Sequence, residues 1–384
     1  MKKMRLIIST LFALLFLIIG IFALSNYGAN WDESIHFGRG QAILHFTLTG
    51  EKDYESFEKN PPTRRSLYQS NSYKYSYLEK NFGTPSNFII GAGHPVLSDL
   101  LASIVNRIIY GWLGLMGDIE SYHLYSVILS AVLVGTVVYF TSSIYGLFAG
   151  IVAGLSLFLY PLFFGESRFN IKDPPETVYY AISAIIFYRG ITVNNWKWIL
   201  VSSIFAGFAF GTKLNIIFLY VSIVLWLCLY WGSVLRQLSL GKFIQKYKKV
   251  LIMIVLFPVV SVALYFISWP ILWEDPFNRV LYNISYYKSV GLGSIPDPRF
   301  SLLGINMYAP AWILYTTPLT VLAFSLVGIF WAFRFGFKEK NKTSLFLLFW
   351  FLVPIVRVMF PGAGIYGGVR QIMEYIPALA ILSG

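Results

Sequence analysis

Three short stretches of the chain gather residues that can move a proton or hold an anion. The first is Asn30-Trp31-Asp32-Glu33-Ser34-Ile35-His36-Phe37. Its paired acids can act in catalysis, with Asp32 as a general base for a hydroxyl proton. The same residues also have an ordinary account. Asn30 caps a helix, Glu33 closes a capping box, and the acids favour the helix dipole. The second stretch runs from Gly165 to Glu176 and holds Arg168, Lys172 and Asp173. Arginine binds phosphate through two parallel hydrogen bonds, so these cations beside an acid suit an anionic donor. The competing account makes Asp173 an N-cap before Pro174 and pairs the charges with each other, Arg168 snorkelling. The third stretch holds Gly362, Gly364, Gly367, Gly368, Arg370 and Glu374. Its glycines permit tight turns or close approach of a ligand to the backbone. Arg370 and Glu374 also fit an i,i+4 ion pair on a helix.

Two further candidates stand outside these stretches. His94 precedes Pro95, which opens an expected helix over 95–111. Residue type alone points to a structural His94. Arg357 lies inside an apolar run, where a charge is costly and is either paired or functional. A polar segment, 51–88, carries Tyr54, Tyr68, Tyr73, Tyr75 and Tyr77. It reads as a surface loop or as a platform for sugars. Trp273-Glu274-Asp275-Pro276 opens an expected interfacial helix from Phe277 to Ser289. Within it, Asn283-Ile284-Ser285 matches a glycosylation acceptor pattern.

The elements that must position these residues are set by composition. Of 384 residues, 57% are hydrophobic and only 12% charged, and mean hydropathy is +0.63. Soluble domains carry roughly 45–50% apolar and about 25% charged residues. A soluble enzyme, a disordered tail and a nucleic-acid module are thereby excluded. The net charge of +12 reflects basic loops on one side of a membrane. The single cysteine, Cys228, forms no intramolecular disulfide, and four histidines leave little for a histidine-rich metal site.

Ten apolar stretches are long enough, or nearly so, to cross a bilayer. They cover about 6–24, 122–144, 146–164, 176–190, 196–211, 214–231, 250–268, 311–333, 344–360 and 371–384. The first follows Lys2, Lys3 and Arg5 and exceeds the usual signal-peptide core, so it is expected to remain as an anchor. With the N-terminus in the cytoplasm, the basic loops 232–249 and 334–343 fall inside. Of the 18 carboxylates, only Glu339 then lies on that side. All three chemical stretches come out on the opposite face. Two long outer segments, 25–121 and 269–310, flank the other spans, and a helix near Ile35, Ala42, Ile43 and Phe46 is expected along the membrane surface. The chain stops within an apolar run at Leu382-Ser383-Gly384, which reads as a C-terminal truncation.

The order of these motifs resembles the membrane glycosyltransferases of the C superfamily (GT-C), specifically family 39 with the protein O-mannosyltransferases and aminoarabinose transferases. Four features carry the resemblance. They are Asp32-Glu33 opening the first outer loop, His94-Pro95 before span two, Arg168 and Asp173 between spans three and four, and Thr317-Pro318-Leu319 followed by Tyr366-Gly367-Gly368-Val369-Arg370. Two departures are Gln371 after Arg370 and Val96 after His94-Pro95.

The resemblance implies an all-α polytopic bundle over 1–384 with juxtamembrane helices packed on its outer face. It implies a polyprenyl- or dolichyl-phosphate sugar as donor and a hydroxyl acceptor on a protein, lipid or surface polymer. Asp32 becomes the base, with Glu33 and Asp173 as further catalytic acids. Arg168, Lys172, Arg357 and Arg370 are candidates for the donor phosphate, and His94 for the sugar or acceptor. No cofactor is expected. A metal held by Asp32, Glu33, Asp173 and His94 is conceivable, since oligosaccharyltransferases of the superfamily use one, but the mannosyltransferase-like group generally works without. The expected location is the plasma membrane, with the site on the extracytoplasmic face and no nucleic-acid partner. A flippase for lipid-linked saccharides is the alternative. Transporters favour inverted repeats and mid-membrane polar residues, whereas here the spans lack obvious repeats and the acids gather outside.

Overall fold

The computed structural model describes residues 2–30, 32–52, 93–292, 297–365 and 367–384. Trp31, Tyr366 and the tyrosine-rich segment with Tyr54, Tyr68, Tyr73, Tyr75 and Tyr77 lie outside the described residues. The chain is an all-α polytopic membrane protein. Its first helix, α1 (Lys2–Ala23), opens on Lys2, Lys3 and Arg5, is mostly apolar beyond them, and leads to a short 3-10 turn, Leu24–Asn26. Then come α2 (Glu33–Thr49) and α3 (Leu97–Asn106), the latter continued by a π-turn over Arg107–Trp112. The bundle follows as α4 (Asp118–Tyr145), α5 (Leu147–Phe158), α6 (Pro161–Glu166), α7 (Asp173–Thr192) and α8 (Trp196–Thr212). It continues with α9 (Ile217–Leu235), α10 (Leu240–Ile267), α11 (Ile271–Glu274) and α12 (Pro276–Leu292). A two-stranded antiparallel hairpin pairs Ser301 with Asn306. The last helices are α13 (Tyr308–Thr316), α14 (Leu319–Phe333), α15 (Lys342–Val356) and α16 (Tyr375–Ser383).

Each expected apolar stretch is helical. Among the described residues, five helical segments are long and apolar enough to cross a membrane by length and composition alone: Lys2–Asn26, Asp118–Tyr145, Leu214–Leu235, Leu240–Ile267 and Leu319–Lys338. Two expected spans are interrupted. The third breaks at Leu159-Tyr160 before Pro161, and the eighth at Thr317-Pro318. Proline lacks an amide hydrogen and clashes with the preceding turn, so both helices restart there. The broken ends are joined: the Tyr160 hydroxyl is 2.8 Å from Thr317 Oγ1 and 2.8 Å from the Tyr375 hydroxyl.

One core runs through the bundle, with Trp226, Trp350 and Tyr180 fully buried. A second lies toward the outer segments, around Phe37, Ile43, Val96, Tyr122 and Trp269. Burying each large apolar side chain of this second core in place of water contributes about 1.5–3 kcal/mol. Helix α2 is covered by the protein on its apolar and polar sides alike: Ala42 and Ile43 are buried, and so are His36, Arg39 and Gln41, while Ile35 is exposed. Polar partners on α3 and α4 hold α2 inside. The Gln41 amide donates to Asn106 Oδ1 at 3.0 Å and to the Tyr122 hydroxyl at 2.7 Å. At Gly40 the backbones of α2 and α3 approach so closely that a Cβ would lie 2.3 Å from the Asp99 carbonyl oxygen.

Candidate active site

Asp32 occupies the N-cap position of α2. Its side chain makes no capping hydrogen bond. It is left part-exposed, with Oδ2 3.8 Å from Arg370 Nη2. Asp32, not the expected Asn30, holds the N-cap position, and Glu33 Oε2 turns back to accept from the Asn30 amide at 2.8 Å. Glu33 itself is buried and points away from Arg370's side of the helix start. Its Oε2 also meets His123 Nε2 at 2.9 Å, and its Oε1 accepts from the Ile171 amide at 3.2 Å.

The loop between α6 and α7 supplies the second acid. Asp173 is the first residue of α7 rather than its cap. The capping acceptor is Asn170 Oδ1, which takes the amides of Lys172 at 2.8 Å and Asp173 at 3.0 Å. That frees the Asp173 carboxylate, whose Oδ1 lies 2.6 Å from Lys213 Nζ. Burial pushes this carboxyl up, but Lys213 and Arg370 outweigh it and hold it below its usual range. Asn170 Nδ2 bridges Asp173 Oδ2 at 3.0 Å and Glu166 Oε2 at 2.7 Å. Burial, with Asp173 adding to it, pushes the Glu166 carboxyl up to about 7.

A third group forms a charged wall. Arg39 donates through Nε and Nη2 to Asp99 Oδ2 at 2.8 and 2.5 Å, and through Nη1 to the His94 carbonyl at 3.0 Å. Lys172 Nζ lies 3.2 Å from Asp99 Oδ1 and donates to the Pro95 carbonyl at 2.5 Å. Burial lowers this lysine to about 8, although Asp99 opposes the shift. His94 sits between two tyrosines of α12, with Nε2 2.8 Å from the Tyr286 hydroxyl and Nδ1 3.2 Å from that of Tyr287. Burial, reinforced by Lys172, lowers His94 well below its usual value, so the ring is neutral at pH 7. A Cβ on Gly93 would lie 2.3 Å from the Tyr286 ring, so only glycine lets α12 pack this close.

The floor is Arg357, at the end of α15. Its Nη1 donates to Asn215 Oδ1 at 3.2 Å and its Nη2 to the Gln371 carbonyl at 2.9 Å. Glu374 lies 3.7 Å from Arg357 Nη2. The expected i,i+4 pairing of Arg370 with Glu374 is therefore replaced by two pairings, Arg370 with Asp32 and Glu374 with Arg357. Residues Arg370–Ile372 form a 3-10 turn and α16 starts only at Tyr375, so the two side chains do not stack along one α-helix.

These groups surround one cavity of about 780 Å³, within the range of small-molecule sites. Asp32, His94, Lys172, Asp173, Arg357 and Arg370 all line it, as do Arg39, Asn170, Lys213, Tyr286 and Tyr287. Two expected residues do not. Glu33 is committed elsewhere, and Arg168 is buried between α1 and α6. The Arg168 guanidinium lies 3.3 Å over the Phe164 ring, and Nη1 also donates to Ser167 Oγ at 3.0 Å. Among the described residues no group of three or more His, Cys, Asp or Glu is placed to hold a metal ion. Sequence reasoning missed Lys213, Arg39 and Asp99. Lys213 left a signal: it interrupts an apolar run in the short turn between the stretches 196–211 and 214–231.

The bundle thus combines broken and unbroken spans around a charged cavity. Residues 93–265 match the family model described as dolichyl-phosphate-mannose-protein mannosyltransferase. In fold the chain is similar to GT-C superfamily proteins, and the family-model match covers just under half of it. No curated protein sequence matches it significantly. Among solved structures, ArnT from Cupriavidus metallidurans bound to undecaprenyl phosphate superposes with a TM-score of 0.61 at 15% identity, covering 97% of this chain and 58% of that one. Its apo form gives 0.58 at 14% identity with the same coverage. The oligosaccharyltransferase AglB from Archaeoglobus fulgidus, in complex with an inhibitory peptide and a dolichol-phosphate, gives 0.55 at 11% identity, covering 100% of this chain and 49% of that one. The chain thus spans about half to three-fifths of the length of these proteins.

Proposed function

We propose that the protein is an integral-membrane glycosyltransferase that moves a sugar from a polyprenyl- or dolichyl-phosphate donor to a hydroxyl acceptor. The observation that carries this reading is the convergence of Asp32 and four cations, Lys172, Lys213, Arg357 and Arg370, on one cavity. The match of residues 93–265 supports it, as do the lipid phosphates named for ArnT and AglB. In this proposal Asp32 accepts the hydroxyl proton while the acceptor oxygen bonds to the anomeric carbon. The bond from that carbon to the phosphate oxygen breaks, and the lipid phosphate leaves with the electron pair. One displacement inverts the anomeric centre. The cations stabilise the charge that grows on the phosphate. Arg168, which does not line the cavity, is not assigned to the phosphate. His94 and its two tyrosines form the wall for sugar or acceptor.

The positive-inside rule supports a cytoplasmic N-terminus and an extracytoplasmic cavity in the plasma membrane. The test is a transfer assay. Membranes containing the protein receive labelled polyprenyl-phosphate hexoses, with Asp32→Asn in parallel. Donor consumption by the wild type and its loss in the variant are expected. Absence of consumption with every donor, in folded protein, would overturn the reading.

A further inference from the structure

Glu33 gathers three separate parts of the chain on one carboxylate. It binds the Asn30 amide at the entrance to α2, His123 Nε2 on α4, and the Ile171 amide in the loop before α7. Asp32 precedes it by one residue, and Lys172 and Asp173 follow Ile171 directly. Both lines of cavity residues therefore hang from the same acid. Glu33 and His123 are almost fully buried, with relative exposures of 1% and 0%, and neither lines the cavity. The His123 ring is also packed 5.9 Å from the Phe37 ring of α2. A buried carboxylate holding two backbone amides and an imidazole has its lone pairs matched and little freedom to move.

We infer that Glu33 and His123 form a clasp that sets the position of Asp32 relative to Lys172 and Asp173, so that both are positioning residues and not catalytic ones. This deepens the transferase reading and rests on it for its kinetic test. The imidazole reaches Glu33 from α4, an unbroken span, and so ties both segments to the bundle. Losing the imidazole N–H leaves the Glu33 carboxylate short of one partner and free to rotate. Asp32 and the 170–173 loop then drift independently.

The test compares His123→Phe with His123→Gln in full-length protein reconstituted in bilayers. Phenylalanine keeps the ring volume and the contact with Phe37 but donates no hydrogen bond. Glutamine places an amide N–H near the position of Nε2. His123→Phe should lower kcat by on the order of 10²-fold, the effect of a misplacement near 1 Å, with the donor KM unchanged. His123→Gln should restore most of the rate. Amide exchange gives a readout independent of turnover. His123→Phe should speed exchange both at 33–36 and at 170–173, segments distant in sequence. Unchanged kcat in His123→Phe, or unchanged exchange in either segment, would overturn the clasp. A wild type that consumes no donor would instead remove the transferase reading, and the exchange experiment alone would then decide the clasp. Should His123→Phe not fold, Glu33→Gln gives the same comparison, since it keeps an acceptor for one amide only.

Discussion

The Asp32 carboxylate stands 3.8 Å from the Arg370 guanidinium, in a cavity that Lys172, Lys213 and Arg357 also line. Arg370 is thus placed both to orient the acid and to meet an anion beside it. Asp32→Asn should reduce transfer by about 10²–10⁴-fold, the range for removing a general base, while lipid-phosphate binding persists. Arg370→Ala should weaken binding as well. Binding of labelled polyprenyl phosphate alongside single-turnover rates separates the two effects.

Lys213 and Asp173 form a buried pair at 2.6 Å. Lys213→Met leaves the carboxylate without its counter-charge, which costs about 3–5 kcal/mol. Adding Asp173→Asn to Lys213→Met should recover much of that loss. Thermal unfolding in a single detergent checks both variants. A double variant no more stable than the lysine variant alone would contradict the pairing.

Lys172 titrates near pH 8 because burial disfavours its charged form. Below that pH it carries the positive charge an anionic donor needs, and above it the charge is lost. The donor KM should therefore rise as pH passes about 8. Lys172→Arg, which stays protonated, should flatten that rise. A KM independent of pH in the wild type would take Lys172 out of donor binding.

Glu166 carries a carboxyl raised to about 7 from its ordinary 4.5. Its folded form favours the proton, so its contribution to stability is fully present below pH 4.5 and is lost as pH rises through 7. Glu166→Gln mimics the protonated state. It should leave stability near pH 4 little changed and increase it above pH 7, by on the order of 3 kcal/mol at most. Unfolding temperatures across that pH range would show whether the gain appears on the alkaline side only.

Asn283 matches a glycosylation pattern but is buried, its amide donating to the Gly93 carbonyl at 2.6 Å and its Oδ1 accepting from Tyr265 at 3.2 Å. The folded protein should carry no glycan there. Asn283→Ala should loosen α12 by about 1–3 kcal/mol, the cost of leaving buried polar partners unmatched. Limited proteolysis near residues 276–292 and a gel-shift assay after deglycosylation test these two outcomes.

The class of fold was legible because hydropathy acts over twenty residues at a time. The broken spans were harder to read: Pro161 and Pro318 are visible, yet their flanks are as apolar as any membrane helix. Asp32 and Asp173 stood out because each opens a helix at an outer boundary. Lys213 did not, and the pairing of Arg370 with Asp32 was hidden too, because both cations come from distant segments that only packing brings near. Glu33 was indistinguishable from Asp32 by type, and the difference between them lies in direction: one residue along the first turn rotates the side chain from the cavity into the bundle. Arg39 and Asp99 were hidden for another reason. Their charges cancel across two helices, and each alone looks like an ordinary polar residue of an outer loop.

Several residues that line the cavity also belong to the exposed apolar surface: Ile217, Ile284, Leu292 and Phe360 are each more than half uncovered. The charged floor is therefore continuous with a greasy rim. In the proposed transferase, a donor with a hydrocarbon tail and an anionic head would enter sideways, without leaving the leaflet. Its supply is then a quantity per area, not per volume. Saturation should follow the mole fraction of ligand among the lipids, and adding buffer to a fixed amount of membrane should leave the rate per protein untouched.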